Sequence, residues 1–295
     1  MTIVLFLFNV FTWLLSRLPL RVIYFFSDIL YIVLYKVAGY RIKVVKENLY
    51  NAFPDKNRKE LHSVERNFYH HLCDLMIENM LLPHITEKQM RQRLKFKNPE
   101  VIENFFAQGK SVICVTGHYG NWEFFSGYPL HLKYKIVALY KPLSNHQFDN
   151  YFKTMREKFG VETVSMGDGI RVLLRYNSSH TATLSLFIAD QAPTRGQSNY
   201  WTRFLSQETA VFTGVERIAQ KTNFPVVFLK MRKVSRGHYE VEAELLSDNP
   251  KAEPNFEITE AHTRVLEKLI QEQPEYWLWS HRRWKHKREN TTTEN

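Results

Sequence analysis

Ser111-Val-Ile-Cys-Val-Thr-Gly-His-Tyr-Gly-Asn-Trp-Glu123 is the stretch whose reading decides the fold. Five of its first six residues are apolar or β-branched, which suits a short strand buried on both faces. Gly117 ends the run and permits a tight turn, so His118 follows at the mouth of a strand, where open α/β sheets place their chemistry. Glu123 lies five positions further on. A carboxylate bonded to one ring nitrogen fixes the tautomer and leaves the other nitrogen free to take a proton. The spacing therefore predicts His118 as a base and Glu123 as its orienter, without a built-in nucleophile. A substrate hydroxyl would supply that. A hydrogen-bonded surface pair is the plainer alternative for the same spacing.

The string Gly-His-Tyr-Gly-Asn-Trp-Glu resembles the first block of the lysophospholipid acyltransferase superfamily, in its late lipid A acyltransferase branch. The resemblance implies that His118 and Glu123 form a dyad activating an acceptor hydroxyl against an acyl thioester, with Gly120 and Asn121 of the same block near substrate. Three further blocks follow in the family's order. Lys141-Pro142-Leu143 after a strand resembles the second, normally Tyr-Arg-Pro; Lys141 offers a point charge in place of the planar guanidinium fork. Asp190-Gln191, followed by Arg195-Gly196 and an aromatic cluster of Tyr200, Trp201 and Phe204, resembles the third. Pro274 to Lys285 resembles the closing block, its Trp residues read as stacking faces beside His281, Arg282 and Arg283. Lys46 to Leu49 and Ala52 to Pro54 resemble the family's helical lead-in.

Composition agrees with an anionic partner. The 295 residues carry a formal charge of +10, and aromatics reach 14%, which favours a membrane interface over a basic nucleic-acid arm. Cys73 and Cys114 read as reduced core thiols, with neither a disulfide framework nor zinc spacing. No metal and no resident cofactor are expected, and no phosphate-binding glycine loop occurs. His70 and His71 tempt a metal reading, but a solvated helix face is the simpler one.

The N-terminus is apolar from Ile3 to Leu15 and again, with interruptions, from Leu18 to Tyr40. Neither run has the roughly 20 uninterrupted apolar residues a spanning helix needs. No basic residue precedes the first run, so a secretory leader does not fit. Core helices are one reading; the preferred one is a membrane-attached helical segment over 1–40, followed by basic residues Arg41, Lys43 and Lys46 at the headgroups. A catalytic domain over 41–286 and a disordered tail over 287–295 complete the expected organisation.

Helices are predicted over 41–53, 57–82, 99–108, 123–131, 145–159 and 213–221, with a last one opened by Thr259 as N-cap. Strands are predicted over 135–140, 161–164, 181–188, 225–230 and, more exposed, 239–245. The fold expected is α/β, a mixed central sheet flanked by helices of the glycerolipid acyltransferase kind, preceded by the membrane-attached helices. The resemblance implies acyl carrier protein, or coenzyme A, as thioester carrier. It implies a lipid A precursor as acceptor, and the cytoplasmic face of the inner membrane of a Gram-negative-type bacterium as location. Three alternatives stay open: transfer to another lipid (a lysophospholipid or aminolipid), a non-catalytic membrane-binding protein, and a nucleic-acid module.

Overall fold

A computed structural model describes residues 3–194 and 200–288. The strands are β1 (Leu94–Phe96), β2 (Val112–Thr116), β3 (Lys135–Tyr140), β4 (Glu162–Ser165), β5 (Thr183–Ile188), β6 (Tyr200–Phe204), β7 (Gln207–Val211), β8 (Val226–Ser235) and β9 (His238–Ser247). The helices are α1 (Ile3–Leu15), α2 (Leu20–Tyr31), α3 (Ile42–Ala52), α4 (Arg58–Leu81), α5 (Glu87–Arg93), α6 (Glu100–Ala107), α7 (His146–Glu157), α8 (Gly169–Ser178), α9 (Gly214–Thr222) and α10 (Glu257–Glu272).

The uninterrupted apolar run of β2 puts it in the middle of a seven-stranded sheet of order β1-β9-β8-β2-β5-β3-β4. All neighbours run parallel except β8 and β9, which form an antiparallel hairpin, so the sheet is mixed. Every residue of β2 is buried. Alternate side chains go to opposite faces: Ile113 and Val115 join Phe187 and Phe228 in one core, while Val112 and Cys114 join Leu186 and Leu229 in the other. Each such aliphatic side chain contributes about 1.5–3 kcal/mol by leaving water. β9 alternates buried and half-buried positions, as its sequence pattern predicts.

Helix α4 starts where its sequence says it should. The Asn57 side chain accepts from the Lys59 and Glu60 amides, and the Glu60 carboxylate returns a bond to the Asn57 amide. Its supposed solvated face is not solvated throughout. Glu65 is buried and accepts from the Tyr35 hydroxyl at 3.0 Å, His70 stacks on Tyr31, and His71 is buried. The N-terminal helices cover that side. Tyr24 of α2 donates to Glu78 at 2.7 Å and Ser27 to Asp74 at 2.7 Å. Arg236, in the β8–β9 turn, bridges Asp74 to Asp28 of α2. The opposite side of α1 and α2 exposes Phe11, Trp13, Leu14, Phe25, Phe26 and Ile29. No single described helix is long and apolar enough to cross a membrane; α2 with its continuation Ile32–Val37 and α3 form a pair bent by 87°.

Two local predictions are corrected. Pro129 lacks an amide to donate, and Trp122–Leu130 winds as a 3₁₀ helix where an α-helix was expected. Thr259 does not cap α10: the helix opens at Glu257, and the buried Glu216 carboxylate accepts from the Phe256 and Thr259 amides. The hairpin β6–β7, α5, β1 and α8 were not foreseen. Of the expected tail, residues from 289 onward lie outside the described part.

Burial holds three imidazoles neutral, pushing His71 down to about 3 and His262 and His281 down to about 4. Their folded-state affinity for protons lies below that of the unfolded chain, near 6.5. Their contribution to stability is therefore full above pH 6.5 and is lost as pH drops through that value towards about 4. Urea midpoints should be lower at about pH 5 than at about pH 7.5, and His71→Phe should flatten the difference.

Candidate active site

Strand register brings the central pair together. β2 and β5 are parallel neighbours with Thr116 opposite Ile188, and the Ala189 amide donates to the Thr116 carbonyl at 3.1 Å. Two residues beyond each paired position come His118 and Asp190. His118 Nδ1 lies 2.6 Å from Asp190 Oδ1, and the His118 amide donates to Asp190 Oδ2 at 2.9 Å. The Trp277 indole donates to the same Oδ2 at 2.8 Å. Gly117 permits this approach: a Cβ there would meet Leu266 at 2.8 Å and Asp190 Oδ2 at 3.2 Å.

Burial would raise the Asp190 carboxyl, but the His118 charge, the two His118 hydrogen bonds and the Trp277 indole offset it and hold the group at about 2. Asp190 is thus an acceptor at neutral pH, and Nδ1 carries the proton. The remaining ring nitrogen, Nε2, sits 3.2 Å from the Gln191 amide nitrogen and accepts from it. The ring packs edge-on against Trp122, with centroids 4.9 Å apart, and stays partly open to solvent.

The carboxylate on the His118 ring is therefore Asp190, where the sequence suggests Glu123. Glu123 is buried and grips Arg156 of α7 with both oxygens, at 2.8 and 2.6 Å. Burial works against the Arg156 charge, yet Glu123's hydrogen bonds and attraction carry it above its ordinary range. The physical reason is the turn. Gly120 adopts φ +62, and the 3₁₀ helix that follows puts the Trp122 ring beside His118, while Glu123, one residue on, turns to α7. Five residues of sequence separation measure no distance across such a turn.

The other expected site residues divide. The Gly120 amide donates to the Tyr276 carbonyl at 3.0 Å. Asn121 is fully buried, and its amide donates to Glu78 at 2.6 Å, so it anchors the loop from within. Gln191 lies at the His118 ring. Lys141 is exposed at the end of β3, the second strand over from β2 on the same edge of the sheet. Arg195 lies outside the described residues.

Three contributors escape the sequence reading: Arg156, Trp277 and the groove beside Trp122. The closing block does not present its indoles outward. Trp277 and Trp279 are buried, and the block is clamped by Asn48, which donates to the Trp279 and His281 carbonyls, and by Arg41, which donates to Ser280. Between this block and α4 runs a groove of about 430 Å³, lined mainly by Leu34, Leu72, Leu75, Met76, Leu278 and Trp122. Only long-range contact reveals these roles; the Trp-rich spacing at 277, 279 and 284 was the one available signal.

A sequence profile described as bacterial lipid A biosynthesis acyltransferase matches residues 1–286. The chain belongs to that family. A lipid A biosynthesis acyltransferase of Haemophilus influenzae is 23% identical over 238 residues, 79% of this chain and 72% of that protein. Membership makes the protein an O-acyltransferase of lipid A synthesis. In this family member the His118 ring has Nδ1 held by the buried Asp190 carboxylate, its other nitrogen at Gln191, and one side partly open to solvent beside Trp122.

Asp190→Asn removes an acceptor from Nδ1 and allows the wrong tautomer. By analogy with hydrolase triads, kcat should fall about 10³–10⁴-fold. Steady-state kinetics with KM near wild type checks this; an unchanged kcat contradicts the assignment.

Proposed function

We propose that the enzyme transfers an acyl chain from the thioester of acyl carrier protein to a hydroxyl of a lipid A precursor, with His118 as general base. The observation that carries this reading is the 2.6 Å contact between His118 Nδ1 and the buried Asp190 carboxylate. The acceptor hydroxyl displaces Gln191 from Nε2, gives its proton to that nitrogen, and attacks the thioester carbonyl. The tetrahedral intermediate then collapses, and the departing sulfur takes the proton from the imidazolium. Asp190 stabilises the imidazolium meanwhile, and a base so placed contributes about 10²–10⁴-fold in rate.

The neighbourhood supports the roles of the other groups. The groove of about 430 Å³ offers apolar walls for an alkyl chain, with Arg41, Asn79 and His281 among its polar residues. Glu123 and Arg156 together brace the turn that carries Trp122, and Arg156 keeps a cation close to the reacting centre. Lys141 suits an acceptor phosphate at the sheet edge, and Arg195 is proposed for the same partner. The outward apolar face of α1 and α2, flanked by Arg17, Arg21, Lys36 and Lys43, fits the headgroup layer of an anionic leaflet. This face supports a location at the cytoplasmic side of the inner membrane, with the enzyme lying on the bilayer and reaching its lipid acceptor from there.

The test combines donor, acceptor and base. Purified enzyme with acyl carrier protein thioester and lipid A precursor should yield acylated product, and His118→Ala should reduce it about 10²–10⁴-fold. Mass spectrometry of lipid A from cells lacking the gene should show an acyl chain lost. Unchanged lipid A with altered glycerophospholipids or aminolipids would move the acceptor to another class. Flotation with anionic vesicles should weaken when Phe11, Phe25 and Phe26 become Ser.

A further inference from the structure

A second, far smaller cavity has Asp190 in its lining. Its volume is about 10 Å³, and Thr116, His262, Thr263, Leu266 and Arg283 line it together with Asp190; His118 does not. Arg283 is 4% exposed, a guanidinium among apolar side chains such as Phe204 and Val211, which line the same cavity. Its Nη2 donates to the Ala210 carbonyl at 2.7 Å, yet its Nε has no hydrogen-bond partner among the described residues. The buried His262 also has an Nε2 without a hydrogen-bond partner among the described residues. A buried charge lacking a counter-charge is strongly unfavourable, and the one carboxylate lining this cavity is Asp190.

Asp190 has room for such a partner. An ionised carboxylate offers about four lone-pair positions. His118 Nδ1, the His118 amide and the Trp277 indole take three. We propose that Arg283 is a positioning residue, the buried counter-charge of Asp190, acting across a space that one water fills. That water accepts from Arg283 Nε–H and donates to the fourth lone pair of Asp190 and to His262 Nε2. A cavity of this size with polar groups on several sides holds a single water. Arg283 therefore acts on the base through Asp190, keeping the carboxylate ionised and its contact with His118 short.

The groups facing the pair are His118 on the β2 loop, His262 on α10, and His281 and Arg283 in the closing block. Burial holds His262 and His281 neutral at ordinary pH, so Arg283 is the standing positive charge among them. Removing it makes the protonated His118–Asp190 pair more favourable, and protons bind at higher pH. The kinetic part rests on the acyl-transfer reading; the folding part does not.

Arg283→Gln should lower kcat about 10–100-fold, the range found when a group holding a catalytic ligand is lost, with KM kept. The acid limb of its pH–rate profile should move to higher pH, while Arg283→Lys leaves the limb at the wild-type position. An unmoved limb in Arg283→Gln, or a shifted one in Arg283→Lys, overturns the proposal. Thermal unfolding of Arg283→Gln, Asp190→Asn and the double variant gives a readout free of activity. Counter-charges make the double variant lose less than the sum of the singles; additive losses overturn the pairing. Should Arg283→Gln fail to fold, recovery of folding in the double variant supports the pairing, and failure of both overturns it. Inactive wild-type enzyme with a coupled unfolding cycle would reject the acyl-transfer reading alone.

Discussion

One carboxylate holds this molecule's chemistry in place. Asp190 receives the His118 ring, the His118 amide and the Trp277 indole at 2.6 to 2.9 Å, all from segments distant in sequence. Each bond alone is ordinary. Together they keep the carboxyl ionised in a buried place, and the ionised carboxyl then fixes which nitrogen of the ring is free. Sheet geometry makes this possible, since adjacent parallel strands deliver residues 118 and 190 to the same edge in the same register.

Around that centre the protein uses buried polar links where a purely apolar core would suffice for stability. Glu78 receives Tyr24 from α2, Tyr239 from β9 and Asn121 from the loop carrying His118. Asp74 joins Ser27 to Lys233 and Arg236. A half-satisfied network of this kind would be costly, so every member constrains the others. The N-terminal helices are thereby fixed to the loop carrying His118, while their other side stays apolar and open.

Legibility followed the range of the interactions. β2 announced itself through an apolar run bounded by glycine, and α4 through its helical period, because both signals are local. His118 was readable for the same reason. Its partner was not: Glu123 is near in sequence and Asp190 is 72 residues away, and only strand pairing decides between them. The same distance hid Arg156 and Trp277. Asn121 sits within a block that reads as substrate-facing, yet its side chain turns inward to Glu78. The indoles of the closing block looked like an outward surface because composition records what a residue is and never which side it faces. The hairpin β6–β7 went unforeseen because its Tyr200, Trp201 and Phe204 read only as an aromatic cluster.

The Trp277 indole has a consequence for how the enzyme comes into being. Domains fold as units, so a domain whose last segment completes its centre needs that segment before it is whole. His118 and Asp190 are in hand well before Trp277 and Arg283 are synthesised. Until the closing block swings back over α3 and the sheet, the carboxylate lacks its indole donor and the groove lacks one wall. The arrangement around His118 is therefore complete only in a chain long enough to include the closing block, and a version cut before Trp277 lacks both the indole donor and that wall.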